Sequence, residues 1–268
     1  MFDSLPDDLA SALAAAAGRL GSVDLRFAHE LGSTSDAALA LAQAGAPDGT
    51  AVLAETQRAG RGRRGRTWFS PPGSGLYLSV VVRVGPAMTL SLVTLAAGVA
   101  AATAVTAVSG LPVELKWPND LVVGARWRKL GGLLCESAGG GPVETVVVGI
   151  GINRGAQAYP VELADRTTAI ETELGRAIDR APLVVEVLAE LAARMAQLRA
   201  GDDEGVCQAW RRLGQRGFGG RVRWQDQGVE RTGVVRDLAP DGALLVDTDG
   251  QVTRLVAGEV HWDRRPHV

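Results

Sequence analysis

Apolar residues recur along the chain at two different spacings, and the changes between them mark out the elements. The clearest helical pattern is Pro182 to Leu198, where Val184, Val187, Leu188, Leu191, Met195 and Leu198 share one face and Glu186, Glu190 and Arg194 lie largely opposite. Pro182 sits where a first helical turn tolerates proline. An alanine-rich opening reads as another helix. Val23 to Phe27 is a short strand, and Asp36 to Ala44 is a helix started by the hydroxyl cluster Ser33, Thr34 and Ser35. Strands are predicted at Thr50 to Glu55, Leu76 to Val84, Val113 to Lys116, Asp120 to Val123, Gly131 to Ser137 and Thr145 to Ile152, separated by Gly and Pro clusters. The β-branched run from Leu76 marks a fully buried strand.

Beyond Gly214 the texture shifts to short strands at Arg221 to Trp224, Arg231 to Val235, Ala243 to Asp247 and Val252 to Val256, with Asp241-Gly242 and Asp249-Gly250 as tight turns. The strands of the main body come in consecutive runs, which predicts an α+β chain with a mixed central sheet flanked by helices. The tail predicts a small β-barrel. The expected division is 1–215 for the body and 216–268 for the barrel.

Between Arg83 and Glu114 no charged residue occurs, a stretch long enough for a bilayer helix of ~20 residues. Thr94, Gly98, Thr103, Thr106 and Ser109 dilute it too far for lipid, so a helix buried in a soluble core is expected and no membrane is implied. The N-terminus carries Asp3, Asp7 and Asp8 where a secretory signal needs basic residues.

Composition narrows the function classes. A hydrophobic share of 46% with 22% charged residues excludes a disordered chain. A net charge of -2 gives no global positive field toward nucleic acid or anionic lipid, so any basic function is local. Cys135 and Cys207 have no CxxC spacing, and His29, His261 and His267 have no ligand spacing. Neither a zinc site nor a disulfide framework is indicated, and a reducing cytoplasm fits.

The sharpest chemical signal is RAGRGRRGR, in which Arg58, Arg61, Arg63, Arg64 and Arg66 place five cations in nine residues. Such crowding is tolerable where a polyanion supplies the countercharge, and guanidinium forks suit phosphate oxygens. Gly60, Gly62 and Gly65 leave the loop backbone free to fold over a phosphate-bearing ligand. A solvated charged loop and an RNA-gripping Arg/Gly segment fit the charge equally well. The aromatic pair Trp68-Phe69 and the buried strand that follows favour a nucleotide site.

Lys116 ends an apolar strand in LKWPND, where Asn119 and Asp120 form the turn. Lys129 opens KLGGLLCES, where Gly131 and Gly132 allow close approach of a ligand to the strand. In VVVGIGINRG, Gly149 and Gly151 lack the third glycine and the helix of a dinucleotide fold, yet with Asn153 they suit a flat ligand. No GxSxG, no P-loop and no exposed nucleophile motif occurs, so a covalent enzyme intermediate is not indicated.

Taken in order, GSTSD (32–36), QRAGRGRRGRTWFS (57–70), KWPND (116–120), RKLGG (128–132) and GIGIN (149–153) resemble the biotin protein ligase family across nearly the whole chain. The resemblance implies a class II synthetase-like fold with an SH3-like C-terminal barrel, and biotin, ATP and Mg²⁺ as ligands. It also implies attack of the biotin carboxylate on the ATP α-phosphate, then transfer from biotinyl-5′-AMP to a lysine of a biotin carboxyl carrier protein. It places Ser33, Thr34, Ser35, Gln57, Gly60, Arg61, Gly62, Arg63, Lys129, Gly131 and Gly132 around biotin. It places Arg63, Arg66, Trp68, Asn119, Lys129 and Asn153 around ATP. It gives catalysis to Lys129, Arg63 and Arg66, and implies Mg²⁺ held through ATP and not by a side-chain cluster.

Two departures follow. The family shows Asn where Ser35 stands, which weakens or re-routes one hydrogen bond to biotin, and the family's C-terminal arginine falls near Asp263 and Arg264. Few residues precede the first motif, so no DNA-binding role is expected; a homodimer is compatible. A lipoate or octanoate ligase or transferase shares the fold and is the nearest alternative. A non-catalytic RNA-binding module using the arginine loop is the alternative of another class.

Overall fold

In the computed structural model, which describes residues 2–263 other than 22, 86–87, 140–144, 157–158 and 257, the chain opens with α1 (Asp7–Ala15), α2 (Ala17–Leu20), β1 (Asp24–Leu31), α3 (Thr34–Gln43) and β2 (Thr50–Gln57). Next come β3 (Gly75–Arg83), α4 (Leu90–Ser109), β4 (Glu114–Lys116), β5 (Asp120–Val123), β6 (Arg128–Ser137) and β7 (Thr145–Asn153). Helices α5 (Val161–Ala164), α6 (Ile170–Leu174), α7 (Arg180–Arg199) and α8 (Asp203–Leu213) follow. The chain ends in β8 (Arg221–Asp226), β9 (Val229–Leu238), β10 (Leu244–Thr248), β11 (Gln251–Leu255) and β12 (Val260–Trp262).

Strands β1 to β7 form one mixed sheet in the order β1-β2-β3-β7-β6-β5-β4, parallel at β1-β2 and antiparallel elsewhere. Alternation along β3 divides its side chains between two faces. Leu76, Leu78, Val80 and Val82 join α4 and α7 in the main core, while Val81 packs with Val52, Val147 and the α3 residues Ala38 and Ala42 on the other face. With helices on both faces, β3 reads as an unbroken apolar run. Each fully buried Leu or Val contributes about 1.5–3 kcal/mol.

The uncharged stretch is α4, long and apolar enough to cross a membrane by length and composition, and 67% of its most apolar window is buried inside this fold. Thr89 caps its start by accepting from the Leu92 N–H, and Gly110 at φ 76° ends it in the left-handed region that glycine tolerates.

The C-terminal strands form a five-stranded antiparallel sheet, ordered β11-β10-β9-β8-β12. Val222, Val235, Leu244 and Val246 belong to the same apolar cluster as α4 and α8. The Trp117 indole N–H donates to the Gly242 carbonyl at 3.1 Å, and the Trp117-Pro118 bond is cis. The C-terminal sheet is therefore fastened to the body beside KWPND.

Several elements differ from the sequence reading, the short helices α2, α5 and α6 among them, and three have a clear cause. β1 runs on to Leu31, because its parallel pairing with β2 continues to Leu31↔Gln57 even though His29 and Glu30 face solvent. Helix α8 was not predicted, although Val206, Cys207 and Trp210 bury one face and Asp202 caps it by accepting from the Gly205 N–H at 3.0 Å. Strand β12 has three residues, too short for a period to register.

Candidate active site

The same alternation that fills the core leaves a floor of small residues on the opposite face. Tyr77 pairs with Gly151 and Ser79 with Gly149, while Gly132 and Leu134 pair with the same two glycines from β6. Helix α3 covers only part of this face, and beside it opens a cleft of about 1450 Å³. Thr34, Ser35, Gln57, Arg61, Gly62, Arg63, Arg66, Trp68, Asn119, Lys129, Gly132 and Asn153 all line it.

Three of the expected site residues do not line this cleft. Gly131 is one position out of phase with Gly132, so it faces Ile152 and Leu121, and a Cβ there would lie 2.8 Å from the Gly151 carbonyl oxygen. Its smallness serves strand packing. Ser33 caps α3, accepting from the Asp36 N–H at 3.4 Å. Gly60 sits at the root of the arginine loop, where a Cβ would lie 2.7 Å from Ser70 Oγ.

At the β2-β3 side the cleft ends in a compact polar network. The Thr34 N–H donates to Gln57 Oε1 at 2.8 Å, and Gln57 Nε2 donates to Ser70 Oγ at 2.9 Å. Thr34 Oγ1 and Ser35 Oγ lie 2.9 and 3.2 Å from Ser79 Oγ. Ser79 is fully buried and was missed in the sequence, although a lone hydroxyl inside an apolar strand was the available signal. The short Ser35 side chain suits its place, since a Cβ on Gly149 would lie 2.8 Å from Ser35 Oγ.

The arginine loop lies over this floor and carries its own backbone bonds. The Gly62 N–H donates to the Arg66 carbonyl at 2.7 Å and the Trp68 N–H to the Gly60 carbonyl at 2.8 Å, around a turn in which Arg64 has φ 58°. The loop is thus more structured than its glycines suggest. Arg61 bridges Asp36 and Glu136, and Arg66 pairs with Glu259, just before the last strand of the C-terminal sheet. Arg63 crosses the cleft, donating to Asn119 Oδ1 at 3.1 Å and to the Gly258 carbonyl at 3.4 Å. Burial pulls the Arg63 guanidinium below its ordinary pKa, with Arg64 adding to the effect.

The Trp68 indole rests on the glycine floor. A Cβ on Gly151 would lie 2.6 Å from Trp68 Cε2, and one on Gly132 3.3 Å from Trp68 Cζ3. Its Nε1 is buried and has no hydrogen-bond partner among the described residues. Lys129 Nζ lies 5.4 Å from a Trp68 ring centroid and pairs with Asp120. Lys116 lines the same end, and burial lowers its pKa, with Lys129 and Arg166 pushing in the same direction. Asn153 is held by donating to the Thr168 carbonyl at 3.0 Å. Asp263 reaches the cleft and accepts from Arg223 Nε at 3.1 Å; Arg264 lies outside the described residues. Among the described residues, no three His, Cys, Asp or Glu side chains gather as a metal site.

The arrangement offers a polar pocket at one end, cations at the other, and a floor that admits flat groups between them. Residues 30–153 match the Biotin/lipoate A/B protein ligase family. The chain is 36% identical over 239 residues to the biotin–[acetyl-CoA-carboxylase] ligase of Mycobacterium tuberculosis, covering 86% of each chain. The chain belongs to the biotin protein ligase family. Among solved structures, the biotin protein ligase from Aquifex aeolicus in complex with biotin and ATP superposes with TM-score 0.78 at 26% identity, over 90% of this chain and 99% of that one. The Leishmania major biotin protein ligase in complex with biotinyl-5-AMP gives TM-score 0.58 at 26% identity, over 87% and 99%. This ligase is thus similar to family members solved with biotin and ATP and with the adenylate.

Proposed function

We propose that this ligase joins biotin to ATP in the cleft and passes the biotinyl group to a lysine of a biotin carboxyl carrier domain. The observation that carries this reading is the placement of a closed arginine loop between a neutral polar pocket and a cationic end. A ureido ring suits the first, since the Thr34, Gln57 and Ser79 groups offer both donors and acceptors. The phosphates suit the second, where Arg63, Lys116 and Lys129 face the cleft.

In the first step a biotin carboxylate oxygen bonds to the α-phosphorus and the bond to the bridging oxygen breaks, releasing pyrophosphate. Two anions must meet, so positioning and cationic screening do most of the work. Lys129 and Arg63 are assigned to that charge, Arg66 to the phosphates, and Trp68, Asn119 and Asn153 to the nucleotide side. In the second step a carrier ε-amine attacks the mixed anhydride and AMP leaves with the bonding pair. The loop over the cleft keeps water from the anhydride until then.

Mg²⁺ belongs to this proposal as a companion of ATP. Such an ion is held through substrate phosphates with one or two carboxylates, and the Asp120 carboxylate and Asn119 amide oxygen at the cleft rim are hard oxygen donors of the right kind. When bound, it neutralises phosphate charge. We assign residues 1–215 to the catalytic unit and 216–268 to the C-terminal unit, and place the enzyme in the cytoplasm.

Purified protein incubated with ATP and either biotin or lipoate separates the readings by pyrophosphate release. Release with biotin is expected; release with lipoate alone establishes the lipoate alternative.

A further inference from the structure

Charge pairing within the cleft is uneven. The arginines of the loop have partners, Lys129 has Asp120, and on the far rim Arg216 has Glu114 and Arg223 has Asp263. Arg166 lines the same cleft, is exposed, and forms no ion pair or side-chain hydrogen bond among the described residues. Its position is nevertheless fixed. The Lys129 N–H donates to the Arg166 carbonyl at 2.7 Å, and the Thr168 N–H donates to the Lys129 carbonyl at 3.0 Å. The backbone carrying Arg166 is therefore tied directly to that of Lys129.

Arg166 is also close enough to Lys116 to depress its pKa, in company with the burial that does most of this. Among the described residues Lys116 likewise forms no ion pair, although Asp120 is near enough to act on its charge. Asp120 and Glu259 offset part of the repulsion at Lys116, but Asp120 is already paired with Lys129 and Glu259 with Arg66, and a bound polyanion supplies the charge that Arg166 lacks.

Sheet order gives the polyanion a direction. The Thr34–Gln57–Ser79 network lies on the β2-β3 side, whereas Lys129 is on β6 and Lys116 on β4, four positions across the sheet from β3. In-line displacement at phosphorus sets the entering and leaving oxygens on opposite sides. A carboxylate arriving from the polar pocket thus expels its leaving group toward β4.

We infer that Arg166, with Lys116, binds the β- and γ-phosphates of ATP and holds the departing pyrophosphate. This deepens the ligase reading and rests on it. Arg166 is a substrate-binding residue of the first step with no part in transfer to the carrier, because the diphosphate has left by then.

The test compares wild type, Arg166→Gln and Arg166→Lys for the KM of ATP in biotin-dependent adenylate formation and for inhibition by added inorganic pyrophosphate. Transfer from isolated biotinyl-5′-AMP to a purified biotin carboxyl carrier domain is measured in parallel. Arg166→Gln is expected to raise the KM of ATP and the pyrophosphate inhibition constant about tenfold, the size of one lost charge-assisted bond. Arg166→Lys recovers most of both, and transfer stays within about twofold. Unchanged ATP and pyrophosphate constants overturn the inference, as does a selective loss of transfer, which marks Arg166 as a carrier contact. If wild type releases no pyrophosphate with biotin, the ligase reading fails and the inference falls with it, an outcome read from wild type alone.

Discussion

Arg66, in the glycine-rich loop, forms an ion pair with Glu259, the residue just before the last strand, so the C-terminal unit holds the loop directly. Arg64 lies 3.8 Å from the same carboxylate, and the hydrogen bond from Arg66 holds Glu259 below the usual carboxylate range. Arg66 is largely exposed, so the pair is screened by salt and weak on its own. Its consequence is conformational. Glu259→Gln is expected to speed tryptic cleavage within 58–66 several-fold while thermal stability stays nearly constant. A cleavage rate equal to wild type removes Glu259 from the account.

Gly151→Val tests the floor. Its Cβ meets the Trp68 ring, so the indole must leave its place. The KM of ATP should rise about tenfold or more, because a gap of about 1 Å forfeits about a quarter to a half of each contact and misplaces the nucleotide. The biotin dissociation constant should change far less, because the Thr34–Gln57–Ser79 network lies on the other side of the cleft from Lys129. Initial rates at varied ATP and calorimetric titration with biotin separate the two effects.

Gln57→Ala removes the acceptor of the Thr34 N–H and the donor to Ser70. Leaving such groups unsatisfied costs about 1–3 kcal/mol. Biotin affinity should fall about tenfold or more, with the KM of ATP little affected, in the same pair of measurements.

Much of this was legible in the residues. The arginine loop, KWPND and the glycines of β7 carried the site because clustered like charge and strand glycines are expensive without a ligand or a close contact. What escaped was set by tertiary geometry. Whether Gly131 or Gly132 faces the cleft depends on a one-residue phase that adjacent glycines hide, and β1 ends where its partner strand ends. Glu259 became visible only when the C-terminal sheet was seen against the loop. Helix α8 is a plainer omission, since its apolar spacing and Asp202 cap were both in the sequence.

Lys116 gives the alkaline limb of the first step. Burial lowers its pKa, so as pH rises it loses its proton, and with it the attraction for phosphate, before an ordinary lysine does. The KM of ATP should therefore rise on the alkaline side at a pH below the free-lysine range. Lys116→Arg should carry that limb to higher pH. A pH profile of wild type and variant that coincide contradicts the assignment.

The thiols behave oppositely to a reactive pair. Burial pushes both Cys135 and Cys207 up to about 11. Only the thiolate is alkylated, so at pH 8 each should label about a hundredfold more slowly than a free cysteine. Mass spectrometry after iodoacetamide treatment of native protein checks this, with rapid labelling only after denaturation.

The central claim is that the arginine loop encloses the acyl-adenylate, with Arg63 as the side chain that spans the cleft to Asn119 and Gly258. Its most direct test is biotin incorporation into lysines of a bystander protein by Arg63→Gly supplied with biotin and ATP. The account predicts pyrophosphate release that is slower than wild type yet still measurable, because Lys129 remains, with bystander biotinylation far above wild type as adenylate escapes. Pyrophosphate release with bystander labelling no higher than wild type would contradict it.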